Sequence, residues 1–188
     1  MSNYPIKSGI IGAGGNTKRH HIPGLQAIEG VEIVGVCNRS RESSHSVAEQ
    51  FGIMRIYDDW MQAVADPDTN AIVIGTWPYL HCRATLAALA ANKHVMCEAR
   101  LAMNAAEAHA MLEAAQNKPH LVAQVVPSPF TLRVDDTVRR LLAAGYIGQL
   151  LAIEVRAGGG FLNREAPLSW RQDFDLSGFN TMGLGIWY

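Results

Sequence analysis

Gly9-Ile-Ile-Gly12-Ala-Gly14-Gly15-Asn16-Thr17 is the stretch on which the reading of this chain turns. A short apolar run, residues 6–12, leads into it, and a segment of helical character follows. Gly12 permits a tight strand-to-helix turn, and Gly14 lets the backbone approach a pyrophosphate. The amides that open the helix, at Gly15, Asn16 and Thr17, can then bind its charge. Thr17 stands where the G-x-G-x-x-G fingerprint has its third glycine, so the loop by itself also suits a plain strand-to-helix connection. Its surroundings decide between the two.

Working outward, apolar runs recur at residues 31–37, 71–75, 94–97 and 121–126. They are short and lack polar alternation, as expected of strands covered on both faces. Helical patterns lie between them. Ser40 can cap a helix that turns Val47, Ala48 and Phe51 inward. Cys82, Leu86 and Leu89 fall at i, i+4, i+7. Asn104 and Glu107 have the spacing of a capping box, followed by a face of Ala108, Met111, Leu112 and Ala115. Strand–helix–strand order repeated in this way predicts an α/β fold, a doubly wound parallel Rossmann sheet over residues 1–125 with right-handed crossovers. The loop therefore reads as a dinucleotide site.

Past Val125 the character changes. Pro127-Ser-Pro129 interrupts the pattern. A helix with Val134, Val138, Leu141 and Leu142 on one face follows, ended by Gly145. Leu151, Ile153 and Val155 then alternate like a half-covered strand. Residues 126–188 are expected to begin an α+β domain that is incomplete, because one strand makes no stable sheet. The final apolar run, Gly183-Leu-Gly-Ile-Trp-Tyr188, carries no cap. It implies a piece of a longer protein or a chain whose end a partner covers, with a homo-oligomer through the second domain as one arrangement.

Composition narrows the classes. The 188 residues are 48% hydrophobic and 18% charged with net charge -1, which is globular and lacks the basic footprint of a nucleic-acid binder. The longest small or apolar stretch, residues 84–91, is too short for a bilayer, and no signal-peptide pattern opens the chain. Cys37, Cys82 and Cys97 are scattered without metal or disulfide spacing, so reduced thiols and a cytoplasmic location are expected. His20 and His21 invite a metal reading, but no ligand stands at suitable spacing, so no metal is expected.

The end of the second strand bears on the cofactor. An acidic residue there would bind a ribose 2′-hydroxyl, whereas this chain reads Asn38-Arg39-Ser40-Arg41. Arg39 can pair with a 2′-phosphate and Ser40 can donate to it, which favours NADP over NAD. The same residues also suit a solvated helix start.

With the glycine loop, Thr76-Trp-Pro-Tyr-Leu-His81, Lys93-His-Val-Met-Cys-Glu98, Gly145-Tyr-Ile-Gly148 and Trp170-Arg171 in view, the chain resembles the Gfo/Idh/MocA oxidoreductases. The resemblance covers nearly the whole chain, and the family is about twice as long. It implies NAD(P) chemistry on sugars, polyols and related small molecules. It places Thr76, Trp77 and His81 beside the cofactor's ribose and nicotinamide, with Glu98, Ala99, Trp170 and Arg171 near them. Two departures follow. The family's Glu-Lys-Pro appears as Glu98-Ala99-Arg100, and its D-x-G-x-H appears as Gly183-Leu-Gly185-Ile-Trp187, so both usual acid/base side chains are missing.

Oxidising an alcohol needs a group that takes the hydroxyl proton. His81 can titrate near neutrality or orient the cofactor. Arg100 is a poor base that can hold a carboxylate or an oxyanion. Tyr188 can relay a proton. These are the candidate catalytic residues. Trp77 and Trp170 can stack on a sugar or on nicotinamide, or simply pack. The function expected is an NADP(H)- or NAD(H)-dependent oxidoreductase of a sugar-like or small hydroxylated substrate, with atypical acid/base residues. The alternatives are non-net-redox chemistry on tightly bound NAD(P), such as glycoside cleavage or elimination, and a non-catalytic NAD(P) or metabolite binder.

Overall fold

The computed structural model describes residues 5–126, 134–152, 154, 165 and 167–178. Six strands form one parallel sheet: β1 (Ile6–Ile11), β2 (Val31–Cys37), β3 (Arg55–Ile56), β4 (Ala71–Ile74), β5 (His94–Cys97) and β6 (Ala123–Val125). Their spatial order is β3-β2-β1-β4-β5-β6, and every neighbouring pair is parallel. This is the doubly wound Rossmann order, which reverses beside β1 and opens a crevice there.

Alternation along each strand explains how both faces are covered. Ile11, Ile72, Ile74, Val95 and Cys97 pack with α3 (Trp60–Ala65), α4 (His81–Ala90) and α5 (Ala105–Gln116). Ile10, Val36 and Val73 pack on the other side, with Ile22 of α1 (Ile22–Gln26) and with Val47 and Ala48 of α2 (Arg41–Phe51). Cores on both faces are what continuous apolar strands require.

Register then sets the site. Ile11 lies opposite both Cys37 and Ile74, and Ile74 lies opposite Cys97. The four strands therefore finish in one row. The next residues, Gly12, Asn38, Gly75 and Glu98, emerge side by side.

Local signals behave as their chemistry dictates. Ser40 accepts a bond from Ser43 N at 3.2 Å and caps α2. Asn104 accepts from Glu107 N at 2.9 Å, while the Glu107 carboxylate reaches back to Met103 N rather than to the cap itself. One face differs from expectation: Leu112 is 55% exposed, and Met111 with Ala114 and Ala115 faces the core. Strand β3 and helix α3 are additions to the expected pattern. Two residues of strand leave no period to read, and α3 is started by an Asp59 cap on Met61 N.

Beyond the sheet, α6 (Asp135–Ala143) ends just before Gly145 at φ +70°. Its Val138, Leu141 and Leu142 are exposed, as is Val134 just before it. The strand expected at residues 151–155 falls largely outside the described residues. A short helix, α7 (Phe174–Ser177), follows a 3₁₀ turn at Trp170–Gln172. No described helix is long and apolar enough to cross a membrane.

Candidate cofactor site

The crevice is a cavity of ≈ 440 Å³ lined by Gly12, Gly14, Asn38, Arg39, Ser40 and Trp77, among others. That lies within the range of small-molecule sites. Two backbones meet at its floor. Gly12 has φ +85°, and a Cβ there would stand 2.7 Å from Thr76 N. Gly12 N donates to Cys37 O and Gly75 N to Ile11 O, each at 2.8 Å. A Cβ on Gly75 would overlap the Thr17 hydroxyl and stand 2.5 Å from Gly12 O. Thr17, fully buried, donates through that hydroxyl to Gly12 O at 3.2 Å. The third glycine of the fingerprint exists for close packing of helix and strand. Here Thr17 fills that place, and the room comes from Gly75 on the opposing loop. Gly14 has nothing nearer than 3.9 Å and Gly15 nothing within 4 Å, so their faces stay open to a ligand.

The first helix opens as a wide π turn over Thr17–His21 before α1 continues it. Pro23 supplies no amide to the helical ladder, and Ile22 N donates to Thr17 O, five residues back, as a π turn does. His21, at the end of that turn, extends its ring to Glu98.

At the end of β2, Asn38 accepts from Ala13 N at 2.6 Å and donates to Ser43 O and Oγ. It binds the glycine loop to the start of α2. Arg39 lies 5.6 Å over the Trp77 ring. Trp77 stacks on Trp170 with centroids 6.0 Å apart, and Arg171 lies 4.5 Å over Trp170. Each ring of the pair thus has a guanidinium within cation–π distance.

At the end of β5, Glu98 Oε1 accepts from Asn16 Nδ2 and contacts His21 Nε2 at 2.6 Å, while Oε2 accepts from Ala99 N at 3.0 Å. Burial would raise this carboxyl, but the bonds from His21 and Asn16 outweigh it and hold the group below its ordinary value. His81 is fully buried, with Nδ1 2.7 Å from Arg100 O and Nε2 2.9 Å from Thr76 O. Burial depresses its basicity despite those carbonyls. Arg100 is buried and donates to Ser177 Oγ, fastening α7 to the end of β5. Burial, and Arg171 nearby, lower its pKa. The three cysteines are free and buried. Burial pushes Cys37 up to about 11 and Cys97 up to about 12.

A family profile described as "Oxidoreductase family, NAD-binding Rossmann fold" (GFO_IDH_MocA) matches residues 6–125, well over half of the chain. The chain belongs to the Gfo/Idh/MocA oxidoreductase family. Inositol 2-dehydrogenase of Salmonella paratyphi B is 29% identical over 155 residues, covering 80% of this chain and 45% of that enzyme. An oxidoreductase domain protein of Kribbella flavida superposes with a TM-score of 0.77 at 27% identity, over 96% of this chain and 50% of its own. Biliverdin reductase of Synechocystis, solved with biliverdin and NADP+, superposes with a TM-score of 0.73 at 25% identity, over 93% of this chain and 53% of its own. The chain thus spans about half the length of these relatives.

Within this Gfo/Idh/MocA domain, Gly12, Gly14, Asn38, Arg39, Ser40, Thr76 and Trp77 gather around the crevice beside β1, and Gly15 follows Gly14 outside its lining. Thr17 supports the loop from inside, and Asn16 spends its amide on Glu98. Two of the candidate catalytic groups are held elsewhere. His81 is sealed between two backbone carbonyls, which leaves its nitrogens no access to a substrate. The Arg100 guanidinium is turned to Ser177. Tyr188, with Gly183, Gly185 and Trp187, lies outside the described residues. Sequence reasoning missed the Asn16–Glu98–His21 cluster and the Thr17–Gly75 fit. Both join residues far apart along the chain, and no local pattern announces either.

Proposed function

We propose that this chain binds NADP in preference to NAD and serves a hydride-transfer oxidoreductase of a sugar-like or other small hydroxylated substrate. Residues 1–125 would form the cofactor domain, and residues 126–188 would begin the substrate domain. The observation that carries the reading is the open pair Gly14 and Gly15 at the sheet's switch point, with Arg39 where a carboxylate would otherwise repel a 2′-phosphate. The residues fit the dinucleotide. The loop amides would meet a pyrophosphate, and the α2 start with Arg39 and Ser40 would meet a 2′-phosphate. Thr76, Trp77, Trp170 and Arg171 would wall the remainder. A bound nicotinamide would supply or accept the hydride.

The proton is the open part of the chemistry. Ala99 stands where the family places lysine, and His81 and Arg100 are engaged in holding the fold. That observation favours a second reading, a bound cofactor serving non-net-redox chemistry or sensing. The free, buried thiols support a cytoplasmic setting. A homo-oligomer would use the second domain.

The test is calorimetry of NADP and NAD on the chain and on Arg39→Ala. We expect NADP to bind more tightly and to weaken about 10- to 100-fold in the variant, the size of a charge-assisted bond, with NAD little changed. Equal weakening of both cofactors would remove Arg39 from the 2′-phosphate. Retention of cofactor with no net NADPH formation on a panel of sugars would favour the second reading.

A further inference from the structure

Two walls of the crevice meet through one side-chain contact. Arg39 follows the end of β2 and Trp77 follows the end of β4, and β1 with its glycine loop lies between those strands. Neighbouring strands lie about 4.8 Å apart, so the two ends stand about 10 Å from each other, a gap that an arginine and a tryptophan bridge together. Arg39 Cζ lies over the Trp77 ring, 5.6 Å from its centroid, and both residues line the cavity. Arg39 is exposed, and no carboxylate pairs with it among the described residues. Asp58 and Asp59 line the same cavity but have partners of their own: Asp58 accepts from Arg41, and Asp59 caps Met61 N. Trp77 is itself braced by its stack on Trp170.

We propose that Trp77 is a positioning residue for cofactor choice, acting through Arg39: the ring holds the guanidinium at the crevice, ready for the 2′-phosphate that distinguishes NADP from NAD. The inference rests on the cofactor reading above. A free arginine gives up rotamer entropy when it grips a ligand, and one already resting on a ring has given up part of it beforehand. A cation–π contact uses the charge and the face of the guanidinium and leaves its in-plane N–H donors for a phosphate. Ring and phosphate therefore hold the same group at once rather than competing for it. NAD brings no phosphate to Arg39 and gains nothing from the arrangement. The signature is a change in the ratio of the two affinities. A ring that served only as a wall of the pocket would weaken both cofactors alike.

The experiment is calorimetric titration of NADP and of NAD on the 188-residue chain, Trp77→Leu, Trp77→Phe, Arg39→Ala and the double variant Arg39→Ala/Trp77→Leu, with thermal unfolding of each as a check on folding. Trp77→Leu should lower the preference for NADP over NAD about two- to fivefold, the scale of an exposed cation–π contact. Trp77→Phe keeps an aromatic face and should keep most of the preference. In the Arg39→Ala background, Trp77→Leu should leave the ratio where it is, because the group it positions is gone. Should Trp77→Leu fail to fold, Trp77→Met, which fills more of the space beside Trp170 without a π face, is read in its place. A wild-type ratio in the folded variant would overturn the inference and leave the cofactor reading standing. So would an equal fall in the ratio with and without Arg39. Binding of neither cofactor by the folded wild type, or no preference for NADP, would overturn that reading and the inference with it.

Discussion

The crossing of β1 and β4 and the far end of β5 hold their loops by different means. At the crossing, backbone lies on backbone: Gly12 against Thr76, and Gly75 against Gly12 O. At the end of β5 the chain is held by side chains. His81 spans two carbonyls, Glu98 gathers Asn16 and His21, and Arg100 secures Ser177. A backbone contact tolerates no added atom, whereas a side-chain contact can be replaced by another set. The crossing needs glycine at positions 12 and 75, whereas the end of β5 reads Glu98-Ala99-Arg100, where the resemblance implies Glu-Lys-Pro.

The sharpest way to break this comparison is Gly12→Ala. Its φ of +85° disfavours any Cβ, and the added atom would stand 2.7 Å from Thr76 N. We expect loss of measurable cofactor binding and destabilisation by about 3 kcal/mol, read from urea unfolding. A variant that binds cofactor normally would show that the crossing can yield, and the contrast between the two regions would fail.

The second effect is smaller and belongs to the side-chain end. His81→Gln removes a ring whose nitrogens meet Thr76 O and Arg100 O. Glutamine can restore an amide donor but not the ring that fills the space between the two carbonyls, so a loss of about 2 kcal/mol is expected. Acidity gives a further handle. Burial lowers the native pKa of His81 below its ordinary value of 6.5. The unfolded chain therefore binds a proton that the native ring refuses. The resulting stability is complete above that ordinary value and is lost as pH falls toward the depressed native one. Urea midpoints measured from pH 8 to pH 5 should fall less steeply in His81→Gln than in the wild type. An identical slope would mean that the ring is not held neutral.

The contrast also separates what is legible in the sequence from what only the fold brings together. Gly12, Gly14, the Ser40 cap and the five longer strands are legible because each rests on a local rule: a turn that admits glycine, a hydroxyl before a helix, an apolar run covered on both faces. The placing of Arg39 at the crevice is legible for the same reason, since it follows the end of β2. The pairing of Glu98 with His21 is not, because those residues lie 77 positions apart and meet only once the sheet has set its register. Nor is the exchange by which Thr17 takes a glycine's place, which depends on Gly75 lacking a side chain. The π turn is hidden too. The period of its neighbours places Leu112 in the core, but the buried face of α5 runs through Met111, Ala114 and Ala115.

The smallest effect expected tests how residues 167–178 are held. Trp170 stacks on Trp77 at 6.0 Å, Arg171 lies 4.5 Å from the centroid of Trp170, and Arg100 donates to Ser177 Oγ. Trp170→Leu keeps an apolar side chain but removes the ring stack, so it should cost less than about 1 kcal/mol globally. Its local signature should be larger than its global one. Hydrogen exchange at Arg171–Ser177 should quicken while the sheet amides keep their protection, because the segment would lose the ring stack that helps hold it. Trp77 fluorescence should change as its stacking partner leaves. Uniform exchange changes across the sheet would mean that this segment is part of the central core rather than a clasp laid over its edge. The line drawn between a backbone-built crossing and a side-chain-built end would then have to move to include it.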